Sequence, residues 1–185
     1  MIGDAMAEQI DIYDENNKPM GFARLKRDAL VEGLWHRASH VWIYDSRGEI
    51  LLQLRSDNVP TFPGLWDVAV GGHVGAGEEP IAAALRETYE ELGLGAQASD
   101  LEFVTIIKTS EQYKELTENE FKYVYFMRFD GTTSDLKLQI GEVQKVGFFP
   151  LEEIEKGLAE RPERYVPHGS YWTDMISEAR RRLNR

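Results

Sequence analysis

The sequence predicts a single domain of mixed α and β structure, and three observations support this class. The chain has 185 residues, which suits one domain with one sizeable core. Short runs rich in β-branched and aromatic residues recur between turn signals. A helical pattern from Pro80 to Leu92 lies between these runs. We therefore expect helices packed on a largely non-hairpin sheet, without internal repeats or long linkers.

Before that helix, four runs are predicted as strands: Gln9–Tyr13, His40–Tyr44, Ile50–Leu54 and Asp67–Val70. The turn-rich stretch Asp14–Pro19 closes the first. Asp45–Gly48 is a turn signal between the second and third, so these two runs are expected to form a hairpin. The stretch from Arg55 to Trp66 contains two prolines and a glycine, which predicts a long loop.

After the helix, strands are predicted at Leu101–Lys108, Tyr123–Phe129 and Val146–Phe149. The polar segment Thr109–Glu120 is interpreted as a mobile loop of the kind that covers sites and sets substrate choice. Pro150 and the acids after it are typical of a helix start. A final helix is expected from about Ser170 to Arg182, with arginines near its end that suit the helix dipole.

Composition excludes several function classes. The net charge is −11, from 32 acidic and 21 basic side chains, which disfavours binding to a nucleic acid polymer or an anionic membrane. There is no cysteine, which excludes disulfides, thiolate metal sites and cysteine nucleophiles. The N-terminus does not resemble a signal peptide, and no apolar run approaches the ~18–20 residues of a membrane span. We expect a soluble cytoplasmic protein.

The helix Pro80–Leu92 carries the chemistry, and Gly93 ends it. Its buried stripe is predicted to comprise Ile81, Leu85, Thr88 and Leu92. On a helical wheel, Glu90 and Glu91 lie at about −60° and +40° from Glu87, so three carboxylates share one face. These carboxylates repel one another and sit at the wrong end of the helix dipole. A solvated acidic face is the alternative interpretation. We favour a site for a hard cation, Mg²⁺ or Mn²⁺.

Residues 72–94 read GHVGAGEEPIAAALRETYEELGL and resemble the Nudix box. All seven fixed positions of that motif are matched, by Gly72, Glu78, Arg86, Glu87, Glu90, Glu91 and Gly93. Thr88 departs from the pattern, because an aliphatic residue is usual there; we expect it to affect packing more than chemistry. The resemblance covers most of residues 38–155.

The resemblance implies a fold and an activity. The fold would be an α/β/α sandwich with a mixed sheet, formed by one domain over residues 1–185. Residues 1–37 would be an N-terminal extension, 38–155 the core and 156–185 a C-terminal helix. The activity would be Mg²⁺-dependent hydrolysis of a diphosphate linkage, in a small molecule such as a nucleoside diphosphate derivative. Many relatives form dimers, so a homodimer is compatible with the resemblance.

The resemblance also implies roles for the matching residues. Metal ligands would be the Gly72 carbonyl with Glu87, Glu90 and Glu91. Glu87 would bind metal or water and act as a base, and Arg86 would hold Glu87 in place. Glu78 would brace the loop or contact metal.

Outside the box the residues support weaker expectations. Arg55 is a candidate for a phosphate contact, and Glu142 for an additional ligand or base; for each, a surface role is the alternative. Trp66, Tyr123 and Tyr125 are expected in the core rather than stacked on a base. The four histidines, at positions 36, 40, 73 and 168, form no close-spaced ligand motif, and His73 is expected to face the site.

Two other functions compete with hydrolysis. The N-terminal run Ile10–Asp14 and the segment Leu34–Arg37 resemble the isopentenyl-diphosphate isomerase branch of the superfamily. That enzyme uses a cysteine and a histidine-rich metal site, whereas this chain has Gly71 at the cysteine's place. Double-bond migration needs a proton donor and acceptor on opposite faces, and the thiol is one of them. The second alternative is a non-catalytic module that senses a nucleotide; such modules usually lose the glutamates that this chain keeps.

Overall fold

The computed structural model describes residues 8–183. Residues 1–7, where we expect no signal peptide, and residues 184 and 185 lie outside this range. The strands are Gln9–Tyr13 (β1), Pro19–Leu25 (β2), Trp35–Tyr44 (β3), Glu49–Arg55 (β4), Trp66–Val68 (β5), Val70–His73 (β6), Glu102–Tyr113 (β7), Leu116–Arg128 (β8) and Val143–Pro150 (β9). The α-helices are Lys26–Glu32 (α1), Pro80–Leu92 (α2), Leu151–Glu160 (α3) and Ser170–Leu183 (α4).

The sheet is mixed, and β3 is its central strand. Along its whole length β3 pairs in parallel with β8, which in turn pairs antiparallel with β7. On its other side β3 pairs with β6 through residues 38–41, but with β4 only at Ile43 and Tyr44. From there β4 diverges to pair with β5 and β9. The sheet therefore forks beside β6.

Alternation along β3 separates two cores, as the period of a strand requires. Val41 and Ile43 point toward α2, where they pack with Ala84 and Leu92. Trp42 points to the other face and packs in a cluster that includes residues of α3 and α4. Helices thus cover both faces of the sheet, which confirms the predicted α/β/α sandwich. Within residues 8–183 no helix is long and apolar enough to span a membrane.

Most predicted elements are confirmed. The first strand and the central helix have the predicted bounds, and the β3–β4 hairpin is present. The predicted strand Asp67–Val70 is instead two strands, β5 and β6, separated at Ala69. Pro150 immediately precedes α3, and α4 begins at the expected residue.

Two predictions about the sheet are wrong. The segment Thr109–Glu120 is not a loop, because it forms the ends of β7 and β8, paired in register down to Tyr113 and Leu116. The sheet is also not largely non-hairpin, since β1–β2, β3–β4 and β7–β8 are all antiparallel neighbours in sequence. Among the described strands the parallel pairing is that of β3 with β8.

Candidate active site

The fork of the sheet opens into a cavity of about 650 Å³. One wall is α2, with the acidic residues of the predicted motif. Further walls come from β6, from the loop after β4 and from the segment 139–142 before β9. Lys26, at the start of α1, also lines this space.

The three carboxylates of α2 differ in how far they are buried. Glu87 and Glu91 are buried, together with Ala83, Ala84, Thr88 and Leu92. Glu90 lies on the cavity rim with 44% of its side chain exposed. The predicted apolar stripe is therefore only partly correct, because Ile81 and Leu85 are half-buried. Short alanines let α2 approach β6 and β3, and this approach carries two of the three carboxylates inward.

Arg86 connects the acidic groups of the motif. Its guanidinium donates to Glu78 at 3.0 and 2.9 Å, to Glu87 at 2.7 Å and to Glu90 at 3.2 Å. It also donates to the His73 carbonyl at 3.1 Å. Glu78 in turn accepts from the Gly75 amide at 2.9 Å. Arg86 and Glu78 thus fix the loop before α2 to the helix, and Arg86 holds the Glu87 carboxylate.

Gly72 leaves room for the Glu87 carboxylate. A Cβ built on Gly72 would lie 2.1 Å from Glu87 Cδ, so only glycine permits this approach. Burial raises the pKa of Glu87 to about 7, while Arg86 opposes the shift and Glu90 adds to it. Burial and the neighbouring charges of Glu87 and Glu142 raise the pKa of Glu91 well above its usual range. Buried carboxylates held beside the backbone of Gly71 and Gly72 are a donor set that suits Mg²⁺ or Mn²⁺.

The two predicted substrate-binding residues both line the cavity. Arg55 donates a hydrogen bond to the Thr61 carbonyl at 3.0 Å and lies 3.4 Å from Asp67. Its side chain is 18% exposed. Glu142 accepts a hydrogen bond from Gln139 at 3.2 Å, and its charge contributes to the raised pKa of Glu91. Glu91 itself accepts from Gln53 at 3.0 Å.

A second group of polar residues was missed, on the part of β8 where the predicted loop Thr109–Glu120 ends. Glu118, Glu120 and Lys122 alternate along β8, so their side chains share one face. Glu120 Oε1 lies 3.5 Å from His36 Nε2 and 3.4 Å from His73 Nε2. The histidines form no close-spaced motif in the sequence, but the fold brings His36 and His73, which are far apart in the chain, together beside Glu120. The alternating pattern Glu-x-Glu-x-Lys could have indicated a strand with a polar inner face.

The cluster of His36, His73 and Glu120 has the features of a metal site. Its ligand atoms lie within 4.8 Å of one another. His36 Nδ1 is 2.9 Å from the Leu34 carbonyl and must donate to it, so Nε2 is the ring nitrogen that can bind a metal, and it lies 3.5 Å from a Glu120 oxygen. Within the described chain, neither His36 Nε2 nor His73 Nε2 makes a hydrogen bond. Imidazole and carboxylate together suit ions such as Mn²⁺ or Zn²⁺.

Deeper in the fold, an ion-pair network supports the cavity floor. The fully buried Lys122 ammonium donates to both Glu111 oxygens at 2.9 Å. Its Nζ also lies 3.0 Å from His168 Nδ1, and His168 Nε2 is 2.8 Å from Asp67. Burial opposes the charge on Lys122, yet the neighbouring Glu120 and Glu111 carboxylates raise its pKa.

The aromatic residues lie where they were expected. Trp66 and Tyr125 are buried in the two main cores, and Tyr123 packs against the second. Trp66 meets Phe149 edge to face at 5.1 Å between ring centroids. None of the three lines the cavity as far as the described residues define it.

Comparison with known proteins identifies the family of this chain. The model of the NUDIX domain matches residues 34–169. An uncharacterised Nudix hydrolase of Streptomyces coelicolor is 38% identical over 162 residues, which are 88% of this chain and 84% of that protein. An isopentenyl-diphosphate Δ-isomerase of Pectobacterium atrosepticum is 33% identical and covers 85% of each chain. Nudix hydrolase 3 of Arabidopsis thaliana is 32% identical over 87% of this chain, which spans only 22% of that longer protein.

Solved structures share the fold. A protein of Deinococcus radiodurans superposes with a TM-score of 0.67 at 23% identity, over 94% of this chain and 98% of that one. The NUDIX domain of Shewanella oneidensis NrtR, solved with ADP ribose, superposes with a TM-score of 0.58 at 20% identity, over 80% and 87% of the two chains. The family match over residues 34–169 and the sequence relatives together show that this chain belongs to the Nudix family.

Proposed function

We propose that this protein hydrolyses the diphosphate linkage of a small molecule, with a nucleoside diphosphate derivative as the substrate class, and that it requires Mg²⁺. The observation that carries the proposal is the placement of Glu87 against Gly72 and of Glu91 against the Gly71 backbone. Two buried carboxylates and a rim carboxylate, Glu90, therefore line the cavity wall beside the glycines of β6. Such a site is electrostatically unfavourable without a cation.

The metal would be held by Glu87, Glu90, Glu91 and the Gly72 carbonyl. When bound, it would lower the pKa of a water molecule and neutralise charge on the phosphoryl oxygens. Glu87 would accept a proton from the attacking water, and Arg86 would orient its carboxylate through their 2.7 Å contact. Arg55 would contact a phosphate, and Glu142 would add negative charge or a ligand close to Glu91.

A second candidate function has one observation in its favour. The cluster of His36, His73 and Glu120, together with the relatives named isopentenyl-diphosphate isomerase, fits an isomerase with a histidine-containing metal site. The chain has no cysteine to act as the proton-transferring thiol, which favours hydrolysis. We expect no dimethylallyl diphosphate when the protein is incubated with isopentenyl diphosphate and divalent metal. Formation of that product at an enzymatic rate would overturn the proposed hydrolysis.

The direct test is a panel of diphosphate compounds that includes nucleotide sugars, dinucleotides, nucleoside triphosphates and isoprenoid diphosphates. Wild type should release a phosphorylated product from at least one of them in Mg²⁺, and Glu90→Gln should lose roughly 10²-fold or more of that rate. A wild-type protein that binds a nucleotide but turns over no compound would instead be a sensing module.

A further inference from the structure

His40 occupies a particular place in the cavity wall. It lies on β3 opposite Gly71 of β6, the neighbour of the proposed metal ligand Gly72. His40 is buried, with 5% of its surface exposed. A Cβ built on Gly71 would lie 3.4 Å from His40 Nε2, so this nitrogen faces the glycine strand. The proposed mechanism does not yet use it.

Hydrogen bonds fix the tautomer of His40. Trp42 Nε1 lies 2.9 Å from the Tyr171 hydroxyl oxygen, and an indole N–H can only donate. The Tyr171 oxygen is therefore an acceptor for Trp42. The buried Tyr171 O–H needs an acceptor of its own, and of its two partners among the described residues only His40 Nδ1, 2.8 Å away, can accept. In this chain of bonds Nδ1 accepts, and the ring proton of His40 resides on Nε2.

The Nε2–H group of His40 is available to a ligand. Among the described residues it has no hydrogen-bond partner, and His40 lines the cavity. Burial and the positive charges of Lys122 and His168 lower the pKa of His40 to about 3, so the ring is neutral at ordinary pH. A neutral, buried donor with a fixed orientation needs little reorganisation when an acceptor arrives.

The other residues that line the cavity indicate which kind of acceptor would bind to His40. The cavity contains Asp67, Glu118 and Glu120 besides the carboxylates of α2, so most of its polar groups accept hydrogen bonds. Of its cations, Arg55 and Arg86 already donate to protein oxygens, and Lys26 lies on α1, where its charge acts on Glu87. Besides Lys26, an anionic phosphate therefore meets few free donors near Gly72, and His40 supplies one from β3.

We propose that His40 is a substrate-binding residue whose Nε2–H donates to a phosphoryl oxygen of the bound diphosphate, and that Tyr171 and Trp42 are positioning residues that hold it in this tautomer. The proposal rests on the diphosphate hydrolysis proposed above. This hydrogen bond would supplement the metal, because His40 would contact a phosphoryl oxygen from the side of the sheet opposite α2.

Three variants separate the donor from mere packing. His40→Leu removes the donor, and we expect kcat/KM for the best diphosphate substrate to fall about 10- to 100-fold. His40→Gln keeps an N–H donor at a similar distance along the side chain and should recover most of that loss. Tyr171→Phe keeps His40 but removes the hydroxyl that fixes its tautomer, so it should give an intermediate loss. Met175→Ala, in the same core as Tyr171, measures the effect of lowered stability alone.

A spectroscopic readout accompanies the kinetics. With ¹⁵N-labelled histidine, the wild-type His40 ring should show an unprotonated Nδ1 and a protonated Nε2, with its signals assigned by their loss in His40→Gln. The Nε2–H signal should shift when methylenediphosphonate and Mg²⁺ are added, and Tyr171→Phe should change the tautomer pattern. His40→Leu should also bind methylenediphosphonate about tenfold or more weakly by calorimetry.

The outcomes separate this proposal from the hydrolase function. If the Nε2–H signal responds to methylenediphosphonate but no compound is hydrolysed, the hydrolase proposal fails and the role of His40 in binding stands. If hydrolysis occurs but folded His40→Leu retains wild-type kcat/KM, the proposal for His40 is wrong. A proton on Nδ1 of the wild-type ring would equally overturn it.

Discussion

At the scale of single residues, the site depends on carboxylates placed where carboxylates are unfavourable. Glu87 and Glu91 are buried, and besides burial the charge of Glu90 raises the pKa of Glu87 and the charge of Glu87 raises the pKa of Glu91. Arg86 compensates Glu87 directly, whereas among the described residues Glu91 accepts hydrogen bonds from the neutral Gln53 side chain and the Gly71 backbone. The metal-free protein therefore retains electrostatic strain that a divalent cation would relieve.

This strain predicts a pH dependence in the absence of metal. The pKa of Glu87 is about 7 in the folded protein and near 4.5 in the unfolded chain, so the unfolded state binds fewer protons between these values. The free energy of unfolding should therefore decrease as pH rises from about 5 to about 7, by roughly 1–3 kcal/mol for this group. Denaturant unfolding in chelator at several pH values measures it. Glu87→Gln should flatten the profile relative to the exposed control Glu152→Gln; equal profiles for both variants would show that the shift is absent.

Gly72 provides a test that leaves all carboxylates in place. Gly72→Ala puts a methyl group 2.1 Å from Glu87 Cδ and should displace that side chain from its position against β6. We expect turnover to fall at least about 10²-fold, as for a lost metal ligand or base. Gly95→Ala is the matched control, because a Cβ there meets nothing within 4 Å. Normal turnover by folded Gly72→Ala would mean that Glu87 does not need its observed position.

At the scale of secondary structure, the elements that could be predicted were those with a clear hydrophobic pattern. The bounds of α2 were predicted correctly because proline, alanines and a terminal glycine all favour the same helix. The ends of β7 and β8 were not, because Glu111, Glu118 and Lys122 make the hairpin look like a polar loop. Their charges compensate one another inside the fold, and a single sequence does not display such pairing. The motif residues could be identified because they follow one another in the sequence at fixed spacing. The group formed by Glu120, His36 and His73 was missed because its members are far apart in the sequence.

The buried ion pair in this hairpin should be strongly coupled. Lys122→Met removes the cation and leaves Glu111 and Glu120 buried without it, which should cost about 3–5 kcal/mol of stability. Lys122→Met combined with Glu111→Gln should recover a substantial part of that cost. Chemical denaturation of the single and double variants measures the coupling. Additive effects would show that the Lys122–Glu111 contact does not hold the hairpin.

At the scale of the whole molecule, the fork in the sheet creates the site. Because β4 leaves β3 to pair with β5 and β9, β6 and α2 can border a cavity rather than a closed core. A cation at this junction would bind across α2 and β6, and therefore only in the folded state. The melting temperature should rise with Mg²⁺ concentration, and excess chelator should reverse the rise. The Glu91→Gln variant should respond much less; an equal response would place the stabilising ion elsewhere.

The most direct test of hydrolysis at this site is product analysis in ¹⁸O-labelled water. The protein is incubated in Mg²⁺ with the diphosphate compound that it turns over fastest, and the products are weighed by mass spectrometry. We predict that one phosphorylated product carries a single ¹⁸O atom, that chelator abolishes the reaction, and that Glu90→Gln slows it by roughly 10²-fold or more. A rearranged diphosphate without ¹⁸O, or label incorporation at an unchanged rate in Glu90→Gln, would contradict metal-dependent hydrolysis at the carboxylates of α2.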